Sequence, residues 1–438
     1  MSRGGQSSYD DRPEALSFSV RRTARLMRLL HLVERFDPFV GGMERAVENL
    51  AGQQAAMGYE VHVATLRLSP EHSSEEERRS DGGGSFTLHR VAHTPLRNFH
   101  PPFPDPVTVG ALGRLLRRSA PFDVVHGHGL MGFSYLPLRA TGLATTPVVW
   151  NLHDYGLTCA KRTRLYLETE VCAEEAFWRC LGCASAHVGR AQGAVTVSGL
   201  FAARPLTRWV DHYIANSRTT AAAHRIKGKP LDIIPPGIVP ASEFAGEPLP
   251  SWAPSVPYIM FVGALDTAKG SQVLLDAYAK LAEPRPPLLV VVSQQRRESH
   301  RDGSVHFVYS VPYRQVRAAW SHALFGVNPS MLAEPWGMAT AEAMAAGKPV
   351  IATRIGATPE VLDGAGLLFP TGDVEALAEQ MRTLLDDPQR RAQLGRRARQ
   401  VAEQYSLARS AALVGRTYEA VISGADRSAG AALISQKR

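Results

Sequence analysis

Three features are missing from this 438-residue sequence, and each absence argues against a class of protein. No apolar run approaches the ~20 residues that a helix needs to cross a bilayer, which argues against a membrane-spanning chain. The first 26 residues lack the apolar stretch of an export signal, so a cytoplasmic location is expected. No basic stretch with interleaved aromatic residues stands out, so nucleic acid is the least favoured partner.

The composition is that of a globular protein with an excess of positive charge. Hydrophobic residues make up 45% and charged residues 21%, and the chain is too long for one ordinary core, which predicts two domains. The net charge is 49 − 41 = +8, which suits anionic partners such as nucleotide diphosphates or anionic lipid head groups.

Apolar runs typical of buried strands alternate with helical patterns, which predicts an α/β fold with parallel, doubly wound sheets. The first series of predicted strands lies at 28–33, 60–65, 86–91, 123–126, 147–150, 213–216 and 232–235. The second series lies at 258–263, 288–292, 306–309, 324–328 and from 350. Residues 69–85 are predicted to form a polar loop.

Two Rossmann-like domains facing each other across a cleft follow from this pattern, and such clefts are the usual ligand sites. The predicted divisions are a disordered arm at 1–26, a first domain at 27–240, a Gly- and Pro-rich linker at 241–257, a second domain at 258–405, a helix at 406–424 that packs back on the first domain, and a flexible tail at 425–438.

The most specific pattern is a pair of carboxylates, Glu334 and Glu342, separated by seven residues. The second lies on a short alanine-rich helix predicted to start near Gly337 and to stop at Gly347, before an apolar strand. Helix N-termini receive phosphate, and carboxylates accept hydrogen bonds from sugar hydroxyls. The pattern therefore favours a phosphorylated, sugar-containing ligand over a solvated loop glutamate beside an ordinary helix.

Three further segments place polar groups at the ends of predicted strands. The Gly41-Gly42 turn exposes backbone N–H groups to a phosphate, although a plain turn is as consistent, and it is not the G-x-G-x-x-G fingerprint of a nicotinamide enzyme. Lys269 lies at the N-terminus of a predicted helix, where it either holds phosphate or is an ordinary surface lysine. His153, followed by Asp154, is either an active-site or a structural histidine.

All four cysteines fall within 25 residues, the last two as C-x-x-C. This clustering suggests a structural zinc site, although reduced, unligated thiols are equally consistent and disulfides less so. The predicted ligands are Cys159, Cys172, Cys180 and Cys183.

The run from Glu334 to Thr353 resembles the E-x7-E signature of the retaining nucleotide-sugar glycosyltransferases of family 4, which have the two-domain GT-B architecture. The resemblance covers about residues 27–422, with the other motifs in the same order. It implies a nucleotide-diphosphate sugar bound by the second domain and an acceptor hydroxyl bound by the first, on a small molecule, a saccharide or a lipid-linked saccharide. It implies electrostatic catalysis with no obligatory catalytic metal.

The resemblance also assigns roles to residues. Glu334 would contact the transferred sugar, Glu342 the ribose, and His153 would position the sugar, with front-face attack favoured and double displacement through Glu334 left open. The implied catalytic residues are His153 and Glu334, and the implied donor-binding residues are Gly41, Gly42, Lys269, Gly337, Met338, Ala339 and Glu342.

One departure from the family pattern keeps other functions open. Ala264 stands where the family usually has an arginine that grips the diphosphate, so either binding is weakened or another residue supplies the charge. A catalytically silent donor-binding subunit, or a sugar-nucleotide epimerase on the same frame, is the alternative; a phosphorylase would need a pyridoxal-binding lysine motif, which we do not find. Arg114, Arg117 and Arg118 could contact anionic lipid, or form a solvated helix face.

Overall fold

A computed structural model describes residues 26–36, 41–68, 76–81, 84–94, 100–243, 246–292 and 298–424. The predicted disordered arm, except for Leu26, and the predicted flexible tail lie outside the described residues, as do residues 37–40 before the glycine turn.

The first sheet has eight strands in the order β10-β9-β6-β5-β1-β2-β4-β3, and all neighbours are parallel except β3 and β4. A separate two-stranded hairpin, β7-β8, follows β6 in the chain. The strands of this half are β1 (Arg28–Leu32), β2 (Glu60–Leu66), β3 (Glu76–Asp81), β4 (Gly84–Val91), β5 (Val124–Gly127), β6 (Val148–Leu152), β7 (Leu165–Tyr166), β8 (Glu170–Val171), β9 (His212–Ala215) and β10 (Leu231–Ile233).

The second sheet has seven strands in the order β13-β14-β12-β11-β15-β16-β17, parallel except for the β13-β14 edge. Its central strands are continuous apolar runs with both faces buried, as parallel sheets covered by helices require. The strands are β11 (Tyr258–Gly263), β12 (Leu288–Val292), β13 (His300–Asp302), β14 (Val305–Tyr309), β15 (Ala323–Asn328), β16 (Val350–Thr353) and β17 (Leu367–Phe369).

Helices connect the parallel strands and cover both sheets. Several begin at residues that cap them: the Asp105 and Asp373 carboxylates each accept a backbone N–H of the first turn. The helices are α1 (Gly42–Ala56), α2 (Pro106–Arg118), α3 (Leu136–Ala140), α4 (Phe177–Val188), α5 (Arg190–Ala203), α6 (Arg218–His224), α7 (Ser271–Ala279), α8 (Tyr313–His322), α9 (Met338–Ala345), α10 (Thr358–Leu362), α11 (Val374–Asp386), α12 (Pro388–Ala402) and α13 (Leu407–Ser423), with short 3₁₀ turns at Leu130–Ser134, Arg204–Trp209, Ala241–Glu243 and Glu403–Tyr405.

The prediction of one polar loop over residues 69–85 was wrong for its second part. Residues from Glu76 onward form β3, an edge strand that pairs with β4. The strand was missed because its composition is polar. An edge strand with one solvated face needs few apolar residues, and charged side chains protect it from pairing with other chains. Here Glu77 accepts a hydrogen bond from Arg90 of β4 at 2.7 Å.

The last helix lies against the first domain. Thr417 of α13 donates to Asp232 at 2.7 Å, and the Tyr418 hydroxyl lies 2.6 Å from His126 Nδ1. Within the predicted linker at 241–257, Leu249 and Trp252 pack on the second domain, and the Trp252 indole donates to Gln315 of α8 at 2.7 Å.

Candidate active site

A cavity of about 750 Å³ lies between the two sheets, at the carboxyl ends of their strands. β1, β6 and β9 deliver Gly41-Gly42, His153 and Asn216 to it from the first domain. β11 and β15 lead to Lys269 and Glu334 from the second. Parallel strands place their carboxyl ends at one edge, so residues distant in sequence converge here.

Two helix N-termini meet across this cavity. α1 begins at Gly42 and α9 at Met338, and a Cβ atom added to Gly42 would lie 3.4 Å from Met338 Cγ. Gly337 precedes α9 with φ of 100°, a left-handed conformation that favours glycine, and no side chain caps the helix. The N–H groups of its first turn therefore remain available to an anion.

Lys269 and Glu334 form an ion pair in the cavity. Lys269 Nζ donates to Glu334 Oε1 at 2.6 Å, and the Glu334 side chain is buried. The loop at Glu334 is tightly packed, because a Cβ atom on Gly356 would lie 2.4 Å from the Glu334 nitrogen. An ammonium has three donors, so Lys269 can hold Glu334 and a phosphate oxygen together.

Glu342 lies buried on α9, deeper in the same cavity. The Tyr313 hydroxyl donates to its carboxylate, and the Arg45 guanidinium lies over the Tyr313 ring, 4.1 Å from the centroid. Burial raises the pKa of Glu342 to about 7, while the Tyr313 hydrogen bond and the charges of Arg45 and Arg317 act in the opposite direction.

His153 ends a column of buried histidines below the first-domain wall. Burial lowers the pKa of His31 and of His153 to about 4 and that of His128 well below its ordinary value, so these rings are neutral and each carries one N–H. His31 Nε2 lies 2.8 Å from the side-chain amide oxygen of Gln54 and must donate to it, because that oxygen can only accept.

The bond from His31 to Gln54 fixes the positions of the other ring N–H protons in the column. His31 Nδ1 accepts from His128 Nε2 at 2.7 Å, and His128 Nδ1 accepts from His153 Nε2 at 2.9 Å. His153 Nδ1 is thus left as an acceptor, 3.4 Å from the Asn216 amide nitrogen, which itself lines the cavity. The column fixes His153 as a neutral imidazole in a single tautomer.

Asp154 does not line the cavity. Its carboxylate accepts from the Arg162 Nε at 2.6 Å, and the same guanidinium donates to buried Glu34 at 3.0 Å. This cluster anchors the chain that follows His153.

Hydrogen bonds from the first domain hold the loop that carries Glu334. The Tyr155 hydroxyl donates to the Ala333 carbonyl at 2.7 Å. Ser217 and Thr220 both donate to the Pro335 carbonyl, at 2.8 and 2.9 Å. The two domains are therefore bonded to each other directly beside the predicted catalytic glutamate.

All nine residues predicted to act in catalysis or donor binding line this one cavity. Arg45, Asn216 and Tyr313, which also line it, were not among them. Asn216 follows a predicted strand and could have been found by its position, whereas Arg45 and Tyr313 carry no local signal. Tyr313 donates to Glu342 within the second domain, and Arg45 lies over the Tyr313 ring from the other side of the cleft.

A G-x-G-x-x-G spacing does occur at Gly127, Gly129 and Gly132, after β5. These glycines pack inside the first domain. A Cβ on Gly129 would lie 2.6 Å from Glu34 Oε1, and one on Gly132 would lie 2.8 Å from the Trp150 ring. Here the glycines permit close packing, and they do not line the cavity.

Two clusters contain metal-ligand residue types. Among the described residues, ring nitrogens of His31, His126 and His128 lie within 4.8 Å of one another. All three rings are buried; His31 and His128 belong to the hydrogen-bonded column, and His126 Nδ1 lies 2.6 Å from the Tyr418 hydroxyl. The four cysteines line a second, smaller cavity beside α4.

Within the described residues, no helix combines the length and apolar character needed to span a bilayer. The predicted lipid-facing arginines, Arg114, Arg117 and Arg118, are exposed on α2, and their contact with lipid stays a prediction.

Two family models match the chain. One, described as Glycosyltransferase Family 4, matches residues 40–242, and the other, described as Glycosyl transferases group 1, matches residues 256–387. The chain is also 27% identical over 416 residues to a D-inositol 3-phosphate glycosyltransferase of Pseudarthrobacter chlorophenolicus, covering 87% of this chain and 91% of the relative.

Solved structures share the architecture. A sucrose-phosphate synthase from Thermosynechococcus elongatus superposes with a TM-score of 0.70 at 22% identity, covering 91% of this chain and all of that one. The Anabaena protein Alr3699/HepE, solved in complex with UDP-glucose, gives a TM-score of 0.61 at 17% identity, covering 90% and 100%. At these identities the likeness establishes the fold, which is GT-B.

Proposed function

The chain belongs to the glycosyltransferases of family 4, and from that premise we propose that it transfers a sugar from a nucleotide-diphosphate donor to an acceptor hydroxyl with retention of configuration. One relative is named as a glycosyltransferase and another as a mannosyltransferase, which favours transfer of a hexose. The observation that carries the proposal is that the Lys269–Glu334 ion pair, Glu342 and two opposed helix N-termini converge on one cavity.

The donor is proposed to lie along the second-domain wall. The N–H groups of Gly337, Met338 and Ala339, with Lys269, would receive the diphosphate, and Gly41-Gly42 would face it from the opposite side. Glu342 would accept hydrogen bonds from the ribose hydroxyls. Hydrogen-bond donors already in place would stabilise the negative charge on the departing diphosphate, which requires no catalytic metal.

The sugar itself would lie between Glu334 and His153. Glu334, held by Lys269, would accept hydrogen bonds from sugar hydroxyls. His153 would present the lone pair of Nδ1, and a neutral ring next to a developing oxocarbenium ion avoids the repulsion that an imidazolium would exert. With Glu334 bonded to a cation, its nucleophilicity is reduced, which favours front-face attack over double displacement.

The loss of the family's arginine at Ala264 is proposed to be offset from the first domain. Two cationic side chains, Arg45 and Lys269, line the cavity. Arg45 belongs to the first turns of α1, next to the glycine turn. Movement of its guanidinium off Tyr313 would bring a second positive charge toward a bound diphosphate.

The test begins with donors. UDP-, GDP-, ADP- and dTDP-sugars are screened by thermal shift, since a ligand that binds the folded state raises the melting temperature. Slow release of nucleotide diphosphate without acceptor is expected from an active transferase and not from a silent subunit. The UDP-sugars come first because Alr3699/HepE binds UDP-glucose, and inositol phosphate is the first acceptor because of the Pseudarthrobacter relative's name.

Two variants then separate binding from chemistry. Glu334→Gln should mainly lower kcat and Glu342→Ala should mainly weaken donor affinity, each by roughly tenfold to a hundredfold, because a hydrogen bond lost at a buried partner costs about 1–3 kcal/mol. Proton NMR of the product's anomeric configuration tests retention. Parental kinetics in both variants would contradict the placement of the site.

A further inference from the structure

The segment from Thr158 to Val188 has almost no apolar core. Its buried apolar side chains are Leu165, Cys183 and Ala184, while Trp178 is 78% exposed. It nevertheless forms the β7-β8 hairpin and helix α4. Segments this poor in apolar burial are usually held by a disulfide or a metal.

Backbone strain is concentrated in the same segment. Of the seven described non-glycine residues with positive φ, four lie here, and left-handed conformations cost energy for such residues. They are Arg162, Arg164, Leu167 and Glu168. Backbone strain of this kind persists only where surrounding interactions hold the chain in one conformation. This segment therefore has a constraint that fixes it.

The strained turns direct backbone N–H groups at sulfur atoms. The Leu167 N–H donates to Cys183 Sγ at 3.4 Å. Backbone N–H groups of residues 161–164 are likewise directed at the Cys159 sulfur. N–H groups directed at cysteine sulfurs stabilise thiolates, and such outer hydrogen bonds orient metal ligands.

The four cysteines share one small cavity. All four cysteines line a cavity of about 20 Å³, close to the volume of a single small ligand. Lys161 and Arg179 line the same cavity and would offset the charge of bound thiolates.

We propose that this cavity binds one structural zinc ion through the four thiolates of Cys159, Cys172, Cys180 and Cys183. Zinc is the metal that tetrahedral four-thiolate sites select. Cys180 and Cys183, three residues apart, lie on one face of α4, and the hairpin brings Cys172 to that face. No three of these sulfurs lie within 4.8 Å of one another, so binding draws them inward by side-chain rotation.

The site supports the active-site wall. Arg162, in the turn that follows Cys159, donates to both Asp154 and Glu34. Arg204 donates to the Leu157 and Thr158 carbonyls at 3.3 and 2.9 Å from the other side. Zinc would thus fix the chain directly after His153.

The test is metal analysis of the full chain, purified without an affinity tag that binds metal and in reducing, chelator-free buffer. About one zinc per chain is expected, with four thiols that react with a thiol reagent only after the metal is chelated or the protein is denatured. Wild-type protein with substoichiometric zinc, iron and copper would overturn the proposal, whether its thiols are free or oxidised to disulfides.

Matched variants identify the ligands. Cys180→Ser and Cys172→Ser should each lower the zinc content at least fivefold and lower the melting temperature. His187→Gln, on the same helix but outside the cavity, should keep the full zinc content. Zinc retained in both serine variants, or lost in His187→Gln, would refute the four-cysteine site.

Discussion

The first-domain wall of the cleft is built mainly on neutral groups, whereas the second-domain wall carries charges. On the first wall, a column of uncharged histidines fixes the tautomer of His153. On the second, Lys269, Glu334 and Glu342 lie buried or half-buried beside uncapped helix N-termini. A low dielectric in the cleft strengthens the interactions of these charges with a ligand. The first wall therefore orients a ligand through the direction of its hydrogen bonds, and the second wall acts on it through charge.

Removing the cation of the charged wall should have the largest effect. Lys269→Ala takes away the partner of buried Glu334 together with the proposed phosphate contact. A hydrogen bond to a charged group contributes about 1.5–3 kcal/mol, so donor turnover should fall more than tenfold, with both KM and kcat affected.

Lys280→Ala is the matched control, since Lys269 precedes α7 whereas Lys280 lies at the other end of that helix and pairs with Glu375 away from the cavity. Parental binding and turnover in Lys269→Ala would mean that the diphosphate lies elsewhere.

The charged wall should also make donor binding depend on pH. Since the pKa of Glu342 is raised to about 7, its carboxyl is mostly protonated at pH 6 and mostly ionised at pH 8. Only the ionised form accepts from both ribose hydroxyls, so affinity should rise with pH through this window, by up to about tenfold.

Calorimetric titration with an intact nucleotide sugar measures this, because a terminal phosphate would itself titrate near pH 6. Glu342→Gln should flatten the dependence. A slope that survives in that variant would assign it to another group.

The neutral wall should respond to hydrogen-bond direction and not to charge. His128→Leu removes the acceptor of the His153 Nε2 proton, and we expect kcat to fall about three- to tenfold because His153 can change tautomer. His128→Gln offers a carbonyl oxygen and should restore part of the loss, with donor affinity unchanged in both.

Equal loss in the leucine and glutamine variants would indicate a packing defect. It would remove the argument that the column sets the tautomer.

The smallest expected effect comes from adding charge. Ala264→Arg restores the family's arginine beside Lys269, and nucleotide diphosphate binding should tighten by about threefold, the gain expected for a partly exposed charge pair. Calorimetry against Ala264→Gln separates charge from side-chain length. If Arg45 already supplies the second charge, the gain should grow in an Arg45→Gln background.

Local sequence patterns were enough to predict most of the strands and helices and where they end. Apolar runs predicted the parallel strands, and Gly337 and Gly347 marked both ends of α9, because glycine adopts left-handed backbone at φ of 100° and 71°. The same patterns also placed His153, Lys269 and Glu334 at the ends of strands, where ligands of such folds lie. The polar edge strand β3 was missed because no apolar period marks it.

Packing of the two domains determines which of these groups share a low-dielectric space. Lys269 and Glu334 lie 65 residues apart in the chain, and His31, His128 and His153 come from three strand ends. Burial raises the pKa of Glu342, and the charge of Arg45 from the other domain acts against that rise. Periodicity fixes what each segment forms, but charge, tautomer and pKa depend on the neighbours that packing brings within a few ångströms.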